Sequence, residues 1–327
     1  VEGDASGERP RERGISPMEW RRRHVLGLAD FSTEEIEFVI DTARSMEDVL
    51  TRDIKKVPAL RGKTVVNLFF EPSTRTRTSF EIAGKRLSAD VVNFSSTVSS
   101  VSKGESLLDT ARNIDAMKPG IIVMRHPASG AAHFLSRHVS CSVINAGDGS
   151  NEHPTQGLLD LYTVLKVKNK VKGIKIAIIG DILHSRVVRS NLHALGRMGA
   201  DLWLCGPATL LPREMARSGA NVTNDIREAV RDADVVMMLR IQLERQQTAY
   251  FPSLREYSRK YGLNSEVFSL ARKDAVIMHP GPINRGVELS DELANSAQSI
   301  ILNQVESGVA IRMALLYLLA GGHHAAH

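Results

Sequence analysis

From residue 63 onward, short runs rich in Val, Ile and Leu alternate with longer stretches of helical periodicity, and this alternation restricts the fold more than any other feature of the chain. The strand-like runs cover 63–70, 90–95, 120–125 and 140–145, then 174–180, 201–205, 233–239 and 275–279. Strands separated by helices return by crossovers and therefore lie parallel, with helices on both faces of the sheet. A pause at 146–173 splits the runs into two groups of four. The pattern predicts an α/β fold with two doubly wound parallel-sheet domains, joined by interdomain helices of which one begins near Pro154. A length of 327 residues with 43% hydrophobic and 24% charged content is enough for two cores and excludes disorder for most of the chain.

Before the first run, Phe31-Ser32-Thr33-Glu34-Glu35-Ile36 carries a capping box (Ser32 with Glu35) and a staple between Phe31 and Ile36. Ile36, Val39, Ile40, Ala43, Met46 and Leu50 then recur at helical spacing, predicting an amphipathic helix. A last helix is expected over about 299–320, with apolar positions Ile301, Val305, Val309, Met313, Leu316 and Leu319. The expected domains are 18–152 together with 299–320, and 153–298. Residues 1–17, rich in Gly, Pro, Arg and Glu, and residues 321–327 are read as tails outside the fold, with the terminal histidines read as a tag remnant.

The charge of +5 is drawn largely from the arginines at 9, 11, 13 and 21–23. Without zinc-finger spacing, an RNP-type aromatic motif or a heptad, this cluster reads as a solvated arm rather than a nucleic-acid site. The longest uninterrupted apolar stretch, Met313 to Ala320, is far short of the roughly 18 residues a membrane span needs. Cys141 and Cys205 sit in apolar runs, as free core cysteines do. A cytoplasmic protein with no membrane partner is expected.

In open α/β sheets, ligands collect at the carboxyl ends of strands. Six of the eight runs are followed by polar or Gly/Pro-rich chemistry: Ser73 to Arg77, Arg125 to Pro127, Asn145 to Gln156, Asp181 to Arg186, Arg240 to Gln242, and His279 to Pro282. That recurrence predicts one cleft lined from both domains. The richest of these is Glu71-Pro72-Ser73-Thr74-Arg75-Thr76-Arg77-Thr78-Ser79-Phe80-Glu81. A helix starting here aims unpaired N–H groups outward, Ser73, Thr74 and Thr76 add hydroxyl donors, and Arg75 and Arg77 add planar forks suited to phosphate or carboxylate. Taken alone, the stretch reads equally well as an N-cap followed by two solvated arginines.

Cofactor motifs fail. Gly180-Asp181-Ile182-Leu183-His184-Ser185-Arg186 has one glycine where a dinucleotide fingerprint needs three, no glycine is followed by Lys and then Ser or Thr, and C-x-x-C and H-E-x-x-H are absent. No cofactor and no metal are expected.

Over roughly residues 22–320 the chain resembles the aspartate/ornithine carbamoyltransferase family. Ser73-Thr74-Arg75-Thr76-Arg77 matches the signature, and His153-Pro154-Thr155-Gln156 and Arg240-Ile241-Gln242-Leu243-Glu244-Arg245 match the second and third motifs. His279-Pro280-Gly281-Pro282 stands where ornithine enzymes carry His-Cys-Leu-Pro, so the resemblance favours aspartate as acceptor. It implies transfer of a carbamoyl group from carbamoyl phosphate to L-aspartate, in pyrimidine synthesis. The carried-over roles are phosphate binding by Ser73, Thr74, Arg75 and Thr76; an Arg125 bridge between phosphate and carbonyl oxygen; hydrogen bonds from Thr76 and His153 to that oxygen, with a general base as the other reading of His153; and Gln156 on the carbamoyl NH₂.

Arg186, Arg240 and Gln242 are implied to hold the two aspartate carboxylates, with backbone contacts from Gly281 and Pro282. Arg186 also reads as a salt bridge at a helix start. Ser99 and Lys103 match residues that enter a neighbouring subunit's site, implying a homotrimer with shared active sites. Relatives also occur with a regulatory chain or with dihydroorotase, and the Pro-Gly-Pro region resembles bacterial forms lacking the regulatory chain. Two other readings are a carbamoyltransferase acting on ornithine or another amine, and a catalytically silent scaffold subunit.

Overall fold

The computed structural model describes residues 19–95, 105–241 and 253–321. The first half runs α1 (Thr33–Thr51), β1 (Thr64–Phe69), α2 (Thr74–Arg86), β2 (Asp90–Ser95), α3 (Leu107–Ala116), β3 (Ile121–His126), α4 (Ala131–Ser136) and β4 (Ser142–Asp148). Helix α5 (Pro154–Lys168) leads into the second half. There the order is β5 (Lys175–Ile179), α6 (Arg186–Arg197), β6 (Asp201–Cys205), β7 (Asn221–Thr223), α7 (Ile226–Val230), β8 (Val235–Met238), α8 (Leu254–Tyr261), α9 (Ser265–Phe268), β9 (Val276–Met278) and α10 (Asp291–Ala294). Helix α11 (Ile301–Gly321) closes the described chain.

Every pairing among these strands is parallel, in the orders β2-β1-β3-β4 and β7-β6-β5-β8-β9. All eight expected strands form. The second sheet also has a fifth that the sequence did not announce. Strand β7 is only Asn-Val-Thr, is not buried, and pairs along one edge with β6; three residues are too few to show alternation, so only the pairing partner defines it.

The central strands are apolar on both faces because both faces are covered: Val65 to Phe69 of β1 are all buried. On one face of both sheets, residues of α1, α5, α6 and α11 join the strands in one continuous core that includes Ile36, Leu161, Leu195 and Leu315. Separate clusters fill the opposite faces, through Ala111 and Leu135 on the first sheet and Ile226, Val267 and Leu293 on the second.

The capping box of α1 forms as predicted. The Ser32 hydroxyl accepts from the Glu35 N–H at 3.2 Å and the Glu35 carboxylate accepts from the Ser32 N–H at 2.8 Å. Phe31 and every apolar position expected on that helix are buried; each fully buried side chain of this size contributes about 1.5–3 kcal/mol.

Helix α11 packs on α1, α2 and α5. The expected helix forms, and its burial is not confined to one stripe. From Ser307 to Leu316 it is buried on nearly all sides, while Leu302 and Val305 near its start are 81% and 51% exposed. A helix wedged between neighbours on several sides has no solvent face for periodicity to report. Both cysteines are buried and free, and burial pushes each thiol up to about 12, so neither is reactive. Among the described residues, no helix is long and apolar enough to cross a membrane.

Candidate active site

Each sheet has one point where the strand order reverses. In the first sheet β1 is flanked by β2 and β3, and in the second β5 is flanked by β6 and β8. Loops leaving the carboxyl ends of the strands on either side of such a point diverge and leave a crevice. The β1–α2 loop and Arg125 of β3 border the first crevice; the β5–α6 loop and Arg240, just past β8, border the second. The two crevices meet in one cleft of about 740 Å³ lined by residues of both halves.

At the start of α2, Ser73 is the N-cap residue but its side chain makes no capping hydrogen bond. The N-cap alternative is thus not realised through that hydroxyl, and the first amides of α2 keep their orientation toward the cleft. Ser73, Thr74, Arg75 and Thr76 all line the cleft, and Arg77 does not. Residues two apart on a helix point to different sides, so Arg75 and Arg77 cannot serve one ligand.

Gly281 lies against Arg75. Its φ is +67°, and a Cβ there would come within 3.0–3.2 Å of the Arg75 guanidinium. Glycine therefore admits both the backbone conformation and the close approach. Partial burial, and then the charge of Arg240, lower the pKa of Arg75. Two cations from opposite halves repel across an aqueous cleft, which is an arrangement that an anionic ligand relieves.

Arg125, at the end of β3, donates to the Ala146 carbonyl at 3.2 Å and pairs with Glu71 at 3.5 Å. Arg186, the first residue of α6, grips the same Glu71 carboxylate with two nitrogens, at 3.0 and 3.2 Å. Its salt-bridge reading and its cleft reading are therefore both realised, because Arg186 also lines the cavity. Gly147, at φ +110°, lets both guanidiniums approach; a Cβ there would lie 2.9 Å from Arg186 Nε and 3.3 Å from Arg125 Nη1.

His153 precedes α5, with Pro154 at the first helical position. Its backbone N–H donates to Ser190 Oγ at 2.9 Å, and Ser190 Oγ donates in turn to the buried Glu152 carboxylate at 2.9 Å. The imidazole is enclosed. Burial first, then the charges of Arg125, Arg186 and Arg312, hold its pKa well below 6.5, so it is neutral at pH 7. A neutral imidazole still offers one N–H, as a donor rather than as a strong base.

Gln156, one turn into α5, donates its Nε2 to Asp160 Oδ1 at 2.9 Å. Arg240, Gly281 and Pro282 complete the lining, with a cis peptide bond between Gly281 and Pro282. Of the residues named from the sequence, the cleft brings together Ser73, Thr74, Arg75, Thr76, Arg125, His153, Gln156, Arg186, Arg240, Gly281 and Pro282. Ser99, Lys103 and Gln242 lie outside the described residues.

The sequence reading assigned no role to Glu71, Ser79, Gln304 or Arg312, all of which line the cleft. Glu71 adjoins the phosphate-type loop, and a carboxylate a few residues before Arg75 and Arg77 is the signal that could have found it. Ser79 and Arg312 meet at 2.8 Å although 233 positions separate them, and no local pattern foreshadows that contact. Among the described residues no cluster of three or more His, Cys, Asp or Glu could hold a metal ion.

Comparison with known proteins places the chain among relatives by family and fold. Residues 23–166 match the family described as aspartate/ornithine carbamoyltransferase, carbamoyl-P binding domain, and residues 172–319 match its Asp/Orn binding domain. The aspartate carbamoyltransferase catalytic subunit of Geotalea daltonii is 60% identical over 306 residues, covering 93% of this chain and 98% of that protein. The corresponding subunit of Heliobacterium modesticaldum is 55% identical over 305 residues, covering 93% and 98%.

Among solved structures, aspartate transcarbamoylase from Trypanosoma cruzi in complex with N-(phosphonacetyl)-L-aspartic acid superposes with a TM-score of 0.81 at 31% identity, covering 93% of this chain and 97% of that one. Ornithine carbamoyltransferase from Pyrococcus furiosus gives 0.82 at 28% identity, covering 93% and 99%.

Proposed function

The chain belongs to the aspartate/ornithine carbamoyltransferase family, and from that premise we propose how its residues divide the work. It transfers the carbamoyl group of carbamoyl phosphate to the amino group of L-aspartate, giving N-carbamoyl-L-aspartate and phosphate. Ser73, Thr74 and Arg75, with the opening amides of α2, hold the phosphate dianion. Arg125 spans phosphate and carbonyl oxygen. Thr76 and His153 donate to that oxygen, and Gln156 accepts from the carbamoyl NH₂. Arg186 takes the α-carboxylate of aspartate and Arg240, with Gln242, its side-chain carboxylate, while Gly281 and Pro282 close the pocket through their backbone.

The observation that carries this assignment is the convergence of Arg75, Arg125, Arg186 and Arg240 on one cleft beside a neutral histidine. When the amine attacks, a C–N bond forms and the carbonyl oxygen becomes an oxyanion. Aimed donors stabilise that charge more than the ground-state carbonyl, and each is worth about 3–4 kcal/mol in the barrier. The C–O bond to phosphate then breaks. Because His153 is a poor base when held neutral this strongly, the departing phosphate accepts the amine proton.

Glu71 pairs with both Arg186 and Arg125 at the cleft wall. It ties the loop after β1 to the start of α6 and keeps both guanidiniums oriented across the two halves. The cleft is completed by Ser99 and Lys103 of a neighbouring copy in a homotrimer, and the enzyme works in the cytoplasm in pyrimidine synthesis, alone or with dihydroorotase. What supports these last assignments is the match of residues 98–105 to the family's intersubunit loop and the names of the relatives.

The test is binding of an analogue that joins a phosphonate to aspartate, together with phosphate release measured with L-aspartate and with L-ornithine. Tight binding lost in both Arg75→Ala and Arg240→Ala, with turnover on aspartate only, is the expected result. Undiminished binding in either variant refutes the assignment.

A further inference from the structure

Behind Gln156 lies a buried carboxylate that the reaction itself does not use. Asp160, one turn further along α5, is completely enclosed and has both oxygens engaged by side-chain amides. Oδ1 accepts from Gln156 Nε2 at 2.9 Å and from Gln304 Nε2 of α11 at 2.8 Å, and Oδ2 accepts from Asn191 Nδ2 of α6 at 2.9 Å. Burial lifts its pKa to about 6, opposed by these three amides and by the buried Arg312. At neutral pH it is ionised, and an ionised carboxylate only accepts.

A planar amide whose nitrogen is committed to such a group has one orientation left for its oxygen. For Gln156, a residue that lines the cleft, that leaves Oε1 as the group available to a ligand. For Gln304 the same constraint turns Oε1 toward the His279 N–H, which donates to it at 2.8 Å just before the Pro280–Gly281–Pro282 turn that forms the facing wall. One carboxylate thus fixes the polarity of two glutamines, one on α5 and one on α11.

We propose that Asp160 is a positioning residue that locks the Gln156 amide with its carbonyl toward the ligand, and so makes the cleft select an acyl group bearing NH₂ over one bearing CH₃. The inference rests on the reading that Gln156 accepts from the carbamoyl NH₂. An asparagine at position 160 has nearly the same shape but offers a donor, so the Gln156 amide can turn over and present NH₂ to NH₂. A buried group that loses its hydrogen-bond partner discriminates strongly between ligands that supply one and ligands that do not.

The experiment measures KM for carbamoyl phosphate, and Ki for acetyl phosphate and for inorganic phosphate, in the wild-type chain, Asp160→Asn and Gln156→Ala. The expected result for Asp160→Asn is a rise of about tenfold or more in KM with both Ki values within twofold. Unchanged preference for carbamoyl over acetyl phosphate in a folded Asp160→Asn overturns the proposal, provided that Gln156→Ala abolishes the preference. Retention of the preference in Gln156→Ala as well refutes the underlying reading of Gln156 instead.

A second measurement needs no variant at position 160. In the wild-type chain with ¹⁵N-labelled glutamine side chains, the amide protons that disappear in Gln156→Ala should exchange slowly with water before and after carbamoyl phosphate is added. Fast exchange in the free chain overturns the proposal even where Asp160→Asn does not fold.

Discussion

His153→Ala should change how stability depends on pH, in a direction fixed by the structure. In the folded chain the imidazole stays neutral well below 6.5, while in the unfolded chain it takes a proton near 6.5. Below that pH the unfolded state binds the extra proton, so the native state loses about 1.4 kcal/mol for each pH unit. The contribution is fully present above 6.5 and is lost as pH falls. Asp160 acts in the opposite sense. Its pKa is about 6 folded against 3.8 unfolded, so between those values the folded state holds the extra proton and stability falls as pH rises.

The two slopes oppose one another below about pH 6, so wild-type stability should depend less on pH there than either group alone would dictate. Removing the histidine unmasks Asp160. Urea denaturation of both proteins at matched concentration, from pH 5.0 to 7.5, isolates the effect, because the packing lost with the side chain is independent of pH and drops out of the slope. The stability advantage of wild type over His153→Ala should shrink by up to about 1.6 kcal/mol between pH 6.5 and 5.0, the limit set by protonation of the unfolded imidazole. An advantage that stays constant within about 0.5 kcal/mol would mean that the imidazole is not held neutral, and the donor role built on that neutrality would fall with it.

Four further outcomes follow from the same geometry. Arg75→Ala should lower kcat/KM about 10²–10³-fold with little change in melting temperature, since it removes a cation aimed at the transition state from an otherwise repulsive pair; steady-state kinetics and calorimetry check both parts. Glu71→Gln should raise the KM for aspartate about tenfold, because Arg186 loses the carboxylate that orients it; an unchanged KM argues against that tie. Lys103→Ala should be severely impaired, and mixing it with Arg75→Ala subunits should restore part of the activity if sites are shared between copies, an outcome that separately inactive monomeric sites would not give. Ser32→Ala should cost about 1 kcal/mol by chemical denaturation and leave the kinetics unaltered, as it breaks only the capping box of α1.

Alternation of apolar runs with helical periods determined the α/β class, the parallel sheets and the ends of the strands at which chemistry gathers. These are local matters: a buried parallel strand is apolar on both faces, a capping box closes over three residues, and a crossover must return the chain to the same edge. The transcarbamoylase-like motifs are equally local, since each is one short run of consecutive residues.

What only the tertiary structure decided is how distant segments act on one another. Arg77 stands next to the signature but turns away from the cleft, because helix geometry and not sequence proximity governs which side chains share a ligand. The protonation of His153 depends first on its burial and then on three arginines drawn from β3, α6 and α11, and the polarity of Gln156 depends on a carboxylate that Asn191 and Gln304 also engage. Such effects arise from burial and Coulomb interaction between groups far apart in the sequence, 31 positions for Asn191 and Asp160 and 144 for Gln304 and Asp160, at distances that exist only once both sheets have closed around α5 and α11.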